Sequence, residues 1–231
     1  MKLKINKIIN FSSVDGPGNR LVVFVQGCNL NCIYCHNPET IDYNQEGYMI
    51  EVDDLVNKIA DAKNFISGVT FSGGECSLQY KEIIEVCKEL KKHKIKIMLD
   101  TNFSMAEEVY SELSEYVEAF IVDLKAYDRN IHKRLTGEDN FQILENIERF
   151  YDKIYEVRCV IVPGYNDNEK EIASMFEFIN SLDDDIKVKL IKFRPYGVRK
   201  PYDLIESSND DLMEEYLESA KKIGLKNIYY K

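Results

Sequence analysis

Three of the six cysteines lie within eight residues, in the segment 26–38. Cys28, Cys32 and Cys35 have the spacing C-x3-C-x2-C, and a glycine precedes the first of them. Thiolates bind soft metal ions and iron–sulfur clusters, so a loop with three of them is a candidate metal centre. No fourth cysteine or second histidine lies nearby to close a structural zinc site. The spacing therefore predicts a [4Fe–4S] cluster that is held by three thiolates and has one iron open.

Composition limits the class of protein and its partners. The 231 residues include 45% hydrophobic and 30% charged residues, which is typical of one globular domain, here predicted to span residues 1–231. The formal net charge of −10 makes nucleic acid an unexpected partner. The N-terminus lacks the apolar core of a signal peptide, and no run reaches the roughly 18 apolar residues that cross a bilayer. We therefore expect a cytoplasmic protein with no membrane contact, where clustered thiols bind metal more often than they form disulfides.

Short apolar runs alternate with amphipathic segments along the chain. The runs cover residues 21–25, 68–71, 95–99, 119–124, 157–162 and 188–193. Strands that are apolar throughout and alternate with helices indicate an α/β fold with a parallel sheet. The pattern alone leaves two architectures open, a partial open (β/α)6 barrel and a doubly wound sheet. Both place ligands at the carboxyl ends of the strands.

Polar residues follow the predicted strands at those ends. The second run is followed by Ser72, Gly73, Gly74 and Glu75, and the third by Asp100, Thr101 and Asn102. The fourth strand carries Asp123 and Lys125, and the fifth carries Arg158. The sixth run is followed by Arg194 and Tyr196. Two glycines without Cβ atoms could let the main chain approach a ligand closely, and Glu75 could hold an ammonium group. Asp123 and Lys125 lie on one side of a strand and, with Asp100, could bind a zwitterion or hydroxyl groups.

These motifs resemble a known family. The cysteine spacing with Tyr34 before the third cysteine resembles the radical S-adenosylmethionine (SAM) enzymes, and SGGE at 72–75 resembles their methionine-binding motif. Further segments resemble the activating enzymes of glycyl-radical enzymes, the pyruvate formate-lyase activase family: SVDGPGNR at 13–20, CHNP at 35–38, DTN at 100–102, DLK at 123–125 and VPG at 162–164. LTG at 135–137 and GV at 197–198 also resemble the YjjW-type activases. The resemblance covers most of the chain.

The resemblance implies a partial open (β/α)6 barrel and assigns roles to single residues. Cys28, Cys32 and Cys35 would ligate one [4Fe–4S] cluster, whose open iron takes the amino and carboxylate groups of SAM. Cofactor contacts are implied for Tyr34, for His36 through its backbone, for Gly73, Gly74 and Glu75 at the methionine amino group, for Lys125 at its carboxylate, and for Asp100, Thr101, Asn102, Asp123 and Arg158 nearby. A monovalent cation would bind near Asp100 and Asp123. Asp15, Gly16 and Arg20 would meet the partner's glycine loop.

The implied function is activation of a glycyl-radical enzyme: reductive cleavage of SAM yields a 5′-deoxyadenosyl radical, which takes a Cα hydrogen from a glycine of the partner. Residues 37–67 contain no cysteine, so no ferredoxin-like insert is predicted, and an external reductant such as flavodoxin or ferredoxin must supply the electron. The alternatives are a radical SAM enzyme acting on a small molecule or peptide, and an iron–sulfur electron carrier or zinc-binding module.

Four further residues carry predictions. Tyr196 stands where the family has an active-site histidine. Cys76 follows the Gly-Gly-Glu segment where Pro or Ala is usual, either as a space-filling residue or as a reactive thiol. His93 and His132 lie in polar helical contexts and are predicted to be surface residues.

Overall fold

Nine strands and seven α-helices make up the computed structural model, which describes residues 1–231. The strands are β1 (Lys2–Ser12), β2 (Arg20–Val25), β3 (Tyr48–Glu51), β4 (Gly68–Gly73), β5 (Ile97–Thr101), β6 (Ala119–Asp123), β7 (Ile154–Ile161), β8 (Val188–Lys192) and β9 (Ile228–Tyr230). The helices are α1 (Val52–Asp61), α2 (Tyr80–Lys92), α3 (Glu107–Ser114), α4 (Arg129–Thr136), α5 (Phe141–Arg149), α6 (Glu169–Leu182) and α7 (Asp210–Ile223). None of these helices has the length and apolar composition needed to cross a bilayer.

The strands form one open sheet in the order β3-β1-β2-β4-β5-β6-β7-β8-β9. From β2 to β8 this order follows the chain without reversal, so the sheet has no topological switch point of the kind found in doubly wound folds. The six predicted runs correspond to β2 and β4 through β8. The order excludes the doubly wound alternative and confirms the partial open (β/α)6 barrel. β1, β3 and β9 were not predicted.

The chain divides into two compact units, and unit 1 comprises Met1–Asn29 and Glu39–Ile121. In unit 1, β1 pairs antiparallel with β2 and β3, whereas β2 pairs parallel with β4, and β4 with β5. All six residues of β2 are buried. The apolar face of α2 is buried at Ile83, Ile84, Cys87 and Leu90.

Unit 2 comprises Leu30–Pro38 and Val122–Lys231. Here β7 pairs parallel with β8, and β8 with β9. The apolar face of α6 is buried at Ile172, Met175, Phe176 and Ile179, and that of α7 at Met213, Tyr216 and Ala220, with Leu212 and Leu217 half-buried. The single domain over residues 1–231 stays a prediction.

Candidate active site

The cysteine loop, residues 26–38, begins in unit 1 where β2 ends. The buried amide of Gln26 donates to two main-chain carbonyls of the segment 39–42, each at 2.8 Å. The N–H groups of Gly27 and Cys28 donate to two further carbonyls of that segment, at 2.8 and 2.9 Å. These bonds fix the main chain at the first cysteine, while its thiol is half-buried.

The middle of the loop packs on the C-terminal turn of α4 in unit 2. The N–H of Asn31 donates to the carbonyl of Thr136, and that of Ile33 to the carbonyl of Leu135, each at 2.9 Å. α4 ends at Gly137, whose φ of 91° lies in the left-handed region. The last carbonyls of a helix lack partners within the helix. The end of α4 thus supplies acceptors to both neighbours of the second cysteine.

Two side-chain contacts join the loop to the segment after β8. Arg199 Nη2 donates to the carbonyl oxygens of Asn31, at 2.6 Å, and Cys32, at 3.1 Å. His36 Nε2 lies 2.8 Å from the carbonyl oxygen of Arg194, and because a carbonyl only accepts, Nε2 carries the hydrogen. The backbone role of His36 stays a prediction, and the structure adds a contact of its ring with the carbonyl of Arg194. Arg199 was not predicted, because its partners lie far away in the sequence.

The donor set matches an iron–sulfur centre in its chemistry. Cys28 and Cys35 are half-buried and Cys32 is buried, all as free thiols. Burial raises the pKa of Cys32 to about 11, and the ammonium of Lys125 opposes that rise. Nowhere do three His, Cys, Asp or Glu side chains lie close enough together to hold one metal ion in this structure. Three soft donors in a loop whose main chain is held by hydrogen bonds nevertheless suit an iron–sulfur cluster. Binding of such a cluster would require the thiols to lose their protons.

Lys125 and Asp123 form an ion pair in unit 2, beside the aromatic residue of the cysteine loop. Lys125 Nζ lies 2.8 Å from Asp123 Oδ2 and 5.7 Å from the ring centroid of Tyr34. Both Lys125 and Tyr34 are buried. Burial alone would lower the pKa of Lys125, but the carboxylate of Asp123 outweighs it, and the pKa lies well above its usual value. Unit 2 therefore holds a buried cation next to Tyr34.

Gly73 and Gly74 permit a close approach, but of the chain to itself. Gly73 has a φ of 112°, in the left-handed region. A Cβ on Gly73 would lie 2.4 Å from the nitrogen of Val25, and one on Gly74 would lie 2.1 Å from the oxygen of Gly27. The main chain of residues 25–27 occupies the space that glycine leaves. The cofactor contact of Gly73 and Gly74 stays a prediction.

The carboxylate of Glu75 is nearly inaccessible and accepts hydrogen bonds from its own unit. Oε1 accepts from the N–H of Ser77 at 2.9 Å, its hydroxyl at 2.6 Å and the hydroxyl of Thr101 at 2.7 Å. Oε2 accepts from the N–H of Asn102 at 2.7 Å. With the side chain 1% exposed, Glu75 ties the start of a 3-10 helix to the end of β5. Oε2, which accepts one hydrogen bond, has acceptor capacity left for the predicted ammonium contact.

The polar residues at the end of β5 are hydrogen-bonded to neighbouring segments of unit 1. Ser72 Oγ donates to Asp100 Oδ2 at 2.9 Å. Asn102 Nδ2 donates to the side chain of Asn29, in the cysteine loop, at 3.2 Å, and Asn102 Oδ1 accepts from Ser104 N–H at 3.0 Å. Thr101 and Asn102 are buried. The structure thus joins the DTN segment to the Gly-Gly-Glu segment and to the first part of the cysteine loop.

Arg158 lies on β7 in unit 2, two residues from a buried carboxylate. Its Nε is 2.9 Å from Glu156 Oε1, and both side chains are buried. Glu156 Oε2 also accepts from Tyr229 at 2.7 Å and lies 3.1 Å from Lys187 Nζ. Burial opposes ionisation of Glu156, but these donors outweigh it and lower the pKa of its carboxyl group. The cofactor contact of Arg158 stays a prediction.

The glycine-rich loop after β1 rests on a buried arginine. Arg20 is 0% exposed, and its Nε donates to Thr70 Oγ1 at 2.7 Å. That hydroxyl in turn donates to the carbonyl of Asp15 at 2.6 Å. A Cβ on Gly16 would lie 2.7 Å from Arg20 Cδ. Arg20 therefore supports the loop from inside unit 1, and the contact of Asp15, Gly16 and Arg20 with a partner stays a prediction. Asp15 is half-buried.

Cys76 and Tyr196 occupy contrasting environments. Cys76 is fully buried, its Sγ lies 3.4 Å from the carbonyl oxygen of Asp100, and burial raises the pKa of its thiol. These properties favour a space-filling residue over a reactive thiol. Tyr196 is 87% exposed in the segment after β8.

The two remaining histidines differ. His93 is exposed, as predicted, but His132 on α4 is 1% exposed, so its surface prediction is wrong. Its Nδ1 lies 2.8 Å from the carbonyl oxygen of Glu138 and therefore carries the hydrogen. Burial lowers the pKa of His132 to about 4, so the ring is neutral at pH 7. His132 is thus a buried residue of α4, the helix whose last carbonyls accept hydrogen bonds from the cysteine loop.

Comparison with known proteins gives a consistent result. Residues 22–179 match the Radical SAM superfamily. The pyruvate formate-lyase-activating enzyme of Staphylococcus epidermidis is 33% identical over 235 residues, 93% of this chain and 94% of that protein. The enzyme of the same name from Staphylococcus aureus is 35% identical over 212 residues, 87% of this chain and 84% of that protein. A crystal structure of a domain of pyruvate-formate lyase-activating enzyme from Bacteroides vulgatus has a TM-score of 0.62 and 25% identity, covering 71% of this chain and 99% of that domain. The chain thus belongs to the radical SAM superfamily and, within it, to the family of pyruvate formate-lyase-activating enzymes.

Proposed function

We propose that this protein activates a glycyl-radical enzyme and that Cys28, Cys32 and Cys35 hold one [4Fe–4S] cluster. The observation that carries the proposal is the three-thiol loop in a chain that is 33% identical, over 93% of its length, to an activating enzyme. Membership of the radical SAM superfamily implies the cluster and SAM as cofactors. When bound, the cluster and SAM would supply the radical chemistry: reductive cleavage of SAM into methionine and a 5′-deoxyadenosyl radical. That radical would take a Cα hydrogen from a glycine of the partner.

The side chains around the loop have distinct proposed tasks. Lys125, a buried cation, suits the methionine carboxylate, and its pairing with Asp123 keeps it charged. The main chain of Gly74 and the free side of Glu75 Oε2 suit the methionine amino group. A monovalent cation near Asp100 and Asp123 remains part of the proposal.

Two partners follow from this proposal. A glycyl-radical enzyme would present its glycine loop to the glycine-rich segment 13–20, where Asp15 is half-buried. An external one-electron donor, such as flavodoxin or ferredoxin, would reduce the cluster, because no cysteines for a second cluster follow in residues 37–67. Reduction would occur at the cysteine loop, where Cys35 is half-buried. The cytoplasmic location, without nucleic-acid or membrane partners, stays a prediction.

The first experiment tests the chemistry without a partner. The protein is reconstituted anaerobically with iron and sulfide, then treated with dithionite and SAM, and 5′-deoxyadenosine is quantified by chromatography. Cys32→Ala should abolish product, whereas Cys87→Ala, at a buried cysteine of α2, should keep it. Equal product from Cys32→Ala and the wild type would sink the cluster assignment.

The second experiment tests the partner. The reduced, SAM-loaded protein is mixed with pyruvate formate-lyase and other glycyl-radical enzymes, and each mixture is examined by EPR. A persistent glycyl doublet on one of them is expected. Formation of 5′-deoxyadenosine without a doublet on any candidate would instead favour a small-molecule or peptide substrate.

A further inference from the structure

Arg199 joins the segment after β8 to the peptide groups on both sides of the Cys32 Cα. Its Nη2 donates to the carbonyl oxygen of Asn31 at 2.6 Å and to that of Cys32 at 3.1 Å. From the other direction, the N–H groups of Asn31 and Ile33 are held by α4. The main chain around Cys32 is therefore bonded by a helix end and by a guanidinium. Hydrogen bonds from a charged donor are the stronger class, so Arg199 contributes strongly to this arrangement.

The same guanidinium has a donor that the protein leaves unused. Arg199 Nε is buried and has no hydrogen-bond partner. Buried unpaired donors are rare in folded proteins and point to a missing ligand, ion or water. Nη2 of the same guanidinium contacts the main chain of Cys32. The sulfur atoms of an iron–sulfur centre accept hydrogen bonds from N–H groups. A cluster at the cysteine loop would give this part of the chain an acceptor that the protein alone lacks.

The charge of Arg199 also has a defined electrostatic effect. A thiolate-ligated cluster becomes more negative when it accepts an electron, so a fixed neighbouring cation stabilises its reduced state. Arginine keeps its charge at any accessible pH, and its planar fork can bond two carbonyls at once, which a lysine ammonium does less well. Charge and geometry can therefore be separated by substitution.

We propose that Arg199 is a positioning residue that holds the main chain at Cys32 and favours reduction of the cluster. The first part stands on the structure of the loop alone. The second part rests on the proposed function, because it requires the cluster. Neither the cysteine motif nor the Gly-Gly-Glu motif contains this residue.

Three variants separate the two parts. Arg199→Gln removes charge and fork, Arg199→Lys keeps the charge, and Lys200→Gln removes an exposed neighbouring charge as the matched control. Hydrogen exchange on the metal-free protein, followed by mass spectrometry of peptides covering 29–36, reports on the loop. We expect at least tenfold faster exchange in Arg199→Gln and Arg199→Lys, and wild-type exchange in Lys200→Gln. Wild-type exchange in Arg199→Gln would overturn the positioning role, whether or not a cluster can be assembled.

Potentiometric titration of the reconstituted proteins, monitored by EPR, reports on the cluster. Reduction of Arg199→Gln should be about tenfold less favourable than that of wild type, which is about 59 mV for a one-electron couple. Arg199→Lys should lie closer to wild type. An unchanged potential in Arg199→Gln, or an equal shift in Lys200→Gln, would overturn the electrostatic role. Failure of the wild type to assemble a cluster would refute the proposed function instead, and hydrogen exchange would still decide the positioning role.

Discussion

Replacing Glu75 by glutamine tests whether this motif residue is structural in the protein without cofactor. The carboxylate accepts three hydrogen bonds at Oε1 and one at Oε2, and it is buried. Glutamine has almost the same shape but only one acceptor oxygen. If that oxygen takes the place of Oε1, the amide nitrogen faces the N–H of Asn102 and leaves this buried donor unpaired.

The expected cost can be worked out from these bonds. An unpaired buried donor costs about 1–3 kcal/mol. The three remaining bonds change from charge-assisted to neutral, and each weakens by roughly 1 kcal/mol. Removing a buried charge returns part of that loss. We therefore expect Glu75→Gln to lower the free energy of unfolding by about 3 kcal/mol.

The assay is urea unfolding of the metal-free protein at pH 7, followed by circular dichroism. With an m value of about 3 kcal/mol/M, the midpoint should fall by about 1 M. The control is Glu112→Gln, an exposed position on α3, which should stay within about 0.5 kcal/mol of wild type. In the double variant with Thr101→Val, the two losses should be less than additive, because Glu75→Gln weakens the bond between Thr101 and Oε1 that Thr101→Val removes. A loss below about 0.5 kcal/mol in Glu75→Gln would refute the reasoning.

Three further predictions concern buried charges and a buried imidazole. Lys125→Ala should weaken SAM binding about tenfold in calorimetry of the reconstituted protein, because it removes the charge that is proposed to meet the methionine carboxylate; unchanged affinity would show that assignment to be wrong. Folding lowers the pKa of His132 from 6.5 to about 4. The free energy of unfolding should therefore be unaffected by this histidine above pH 6.5 and should fall by up to about 3 kcal/mol as the pH drops from 6.5 to 4. Urea midpoints of His132→Gln should therefore fall less than those of wild type between pH 7 and 4, and parallel curves would contradict this. Arg20→Met should lower the free energy of unfolding by about 3 kcal/mol, because its buried hydrogen bonds to β4 are lost. Wild-type thermal unfolding together with loss of partner activation would contradict this and would support the predicted contact of Arg20 with a partner.

Strand prediction succeeded for β2 and β4 through β8, in which most residues are buried, and missed β1, β3 and β9. Strands covered on both faces carry continuous apolar sequence, and β2, buried throughout, is such a strand. β1 was missed because its register with β2 shifts between Ile5 and Lys7 and again between Ile9 and Ser12, which interrupts the two-residue alternation. β3 and β9 have four and three residues, too few for a periodic pattern.

Prediction of the site followed the same division between local and distant information. The cysteine loop could be located because its spacing lies within eight residues. The bonds of Glu75 to Thr101 and Asn102 join residues 26 and 27 positions apart, and Arg199 lies 168 positions from Asn31. Such contacts depend on the arrangement of strands and helices, which no single motif contains.

The buried contacts of the motif residues change how variants of this family member must be interpreted. Gly73 and Gly74 are required by the main chain of residues 25–27, and Glu75 is bonded within its own unit. Loss of activity on substitution at these positions would therefore report on folding as much as on cofactor binding. Lys125 differs because its ammonium pairs with Asp123, two residues away, and its main-chain bond to Asn166 does not depend on the side chain, so its substitution disturbs less of the fold. Variants of Lys125 and of the three cysteines, checked for unchanged unfolding, are the ones that can identify contacts with the cofactors.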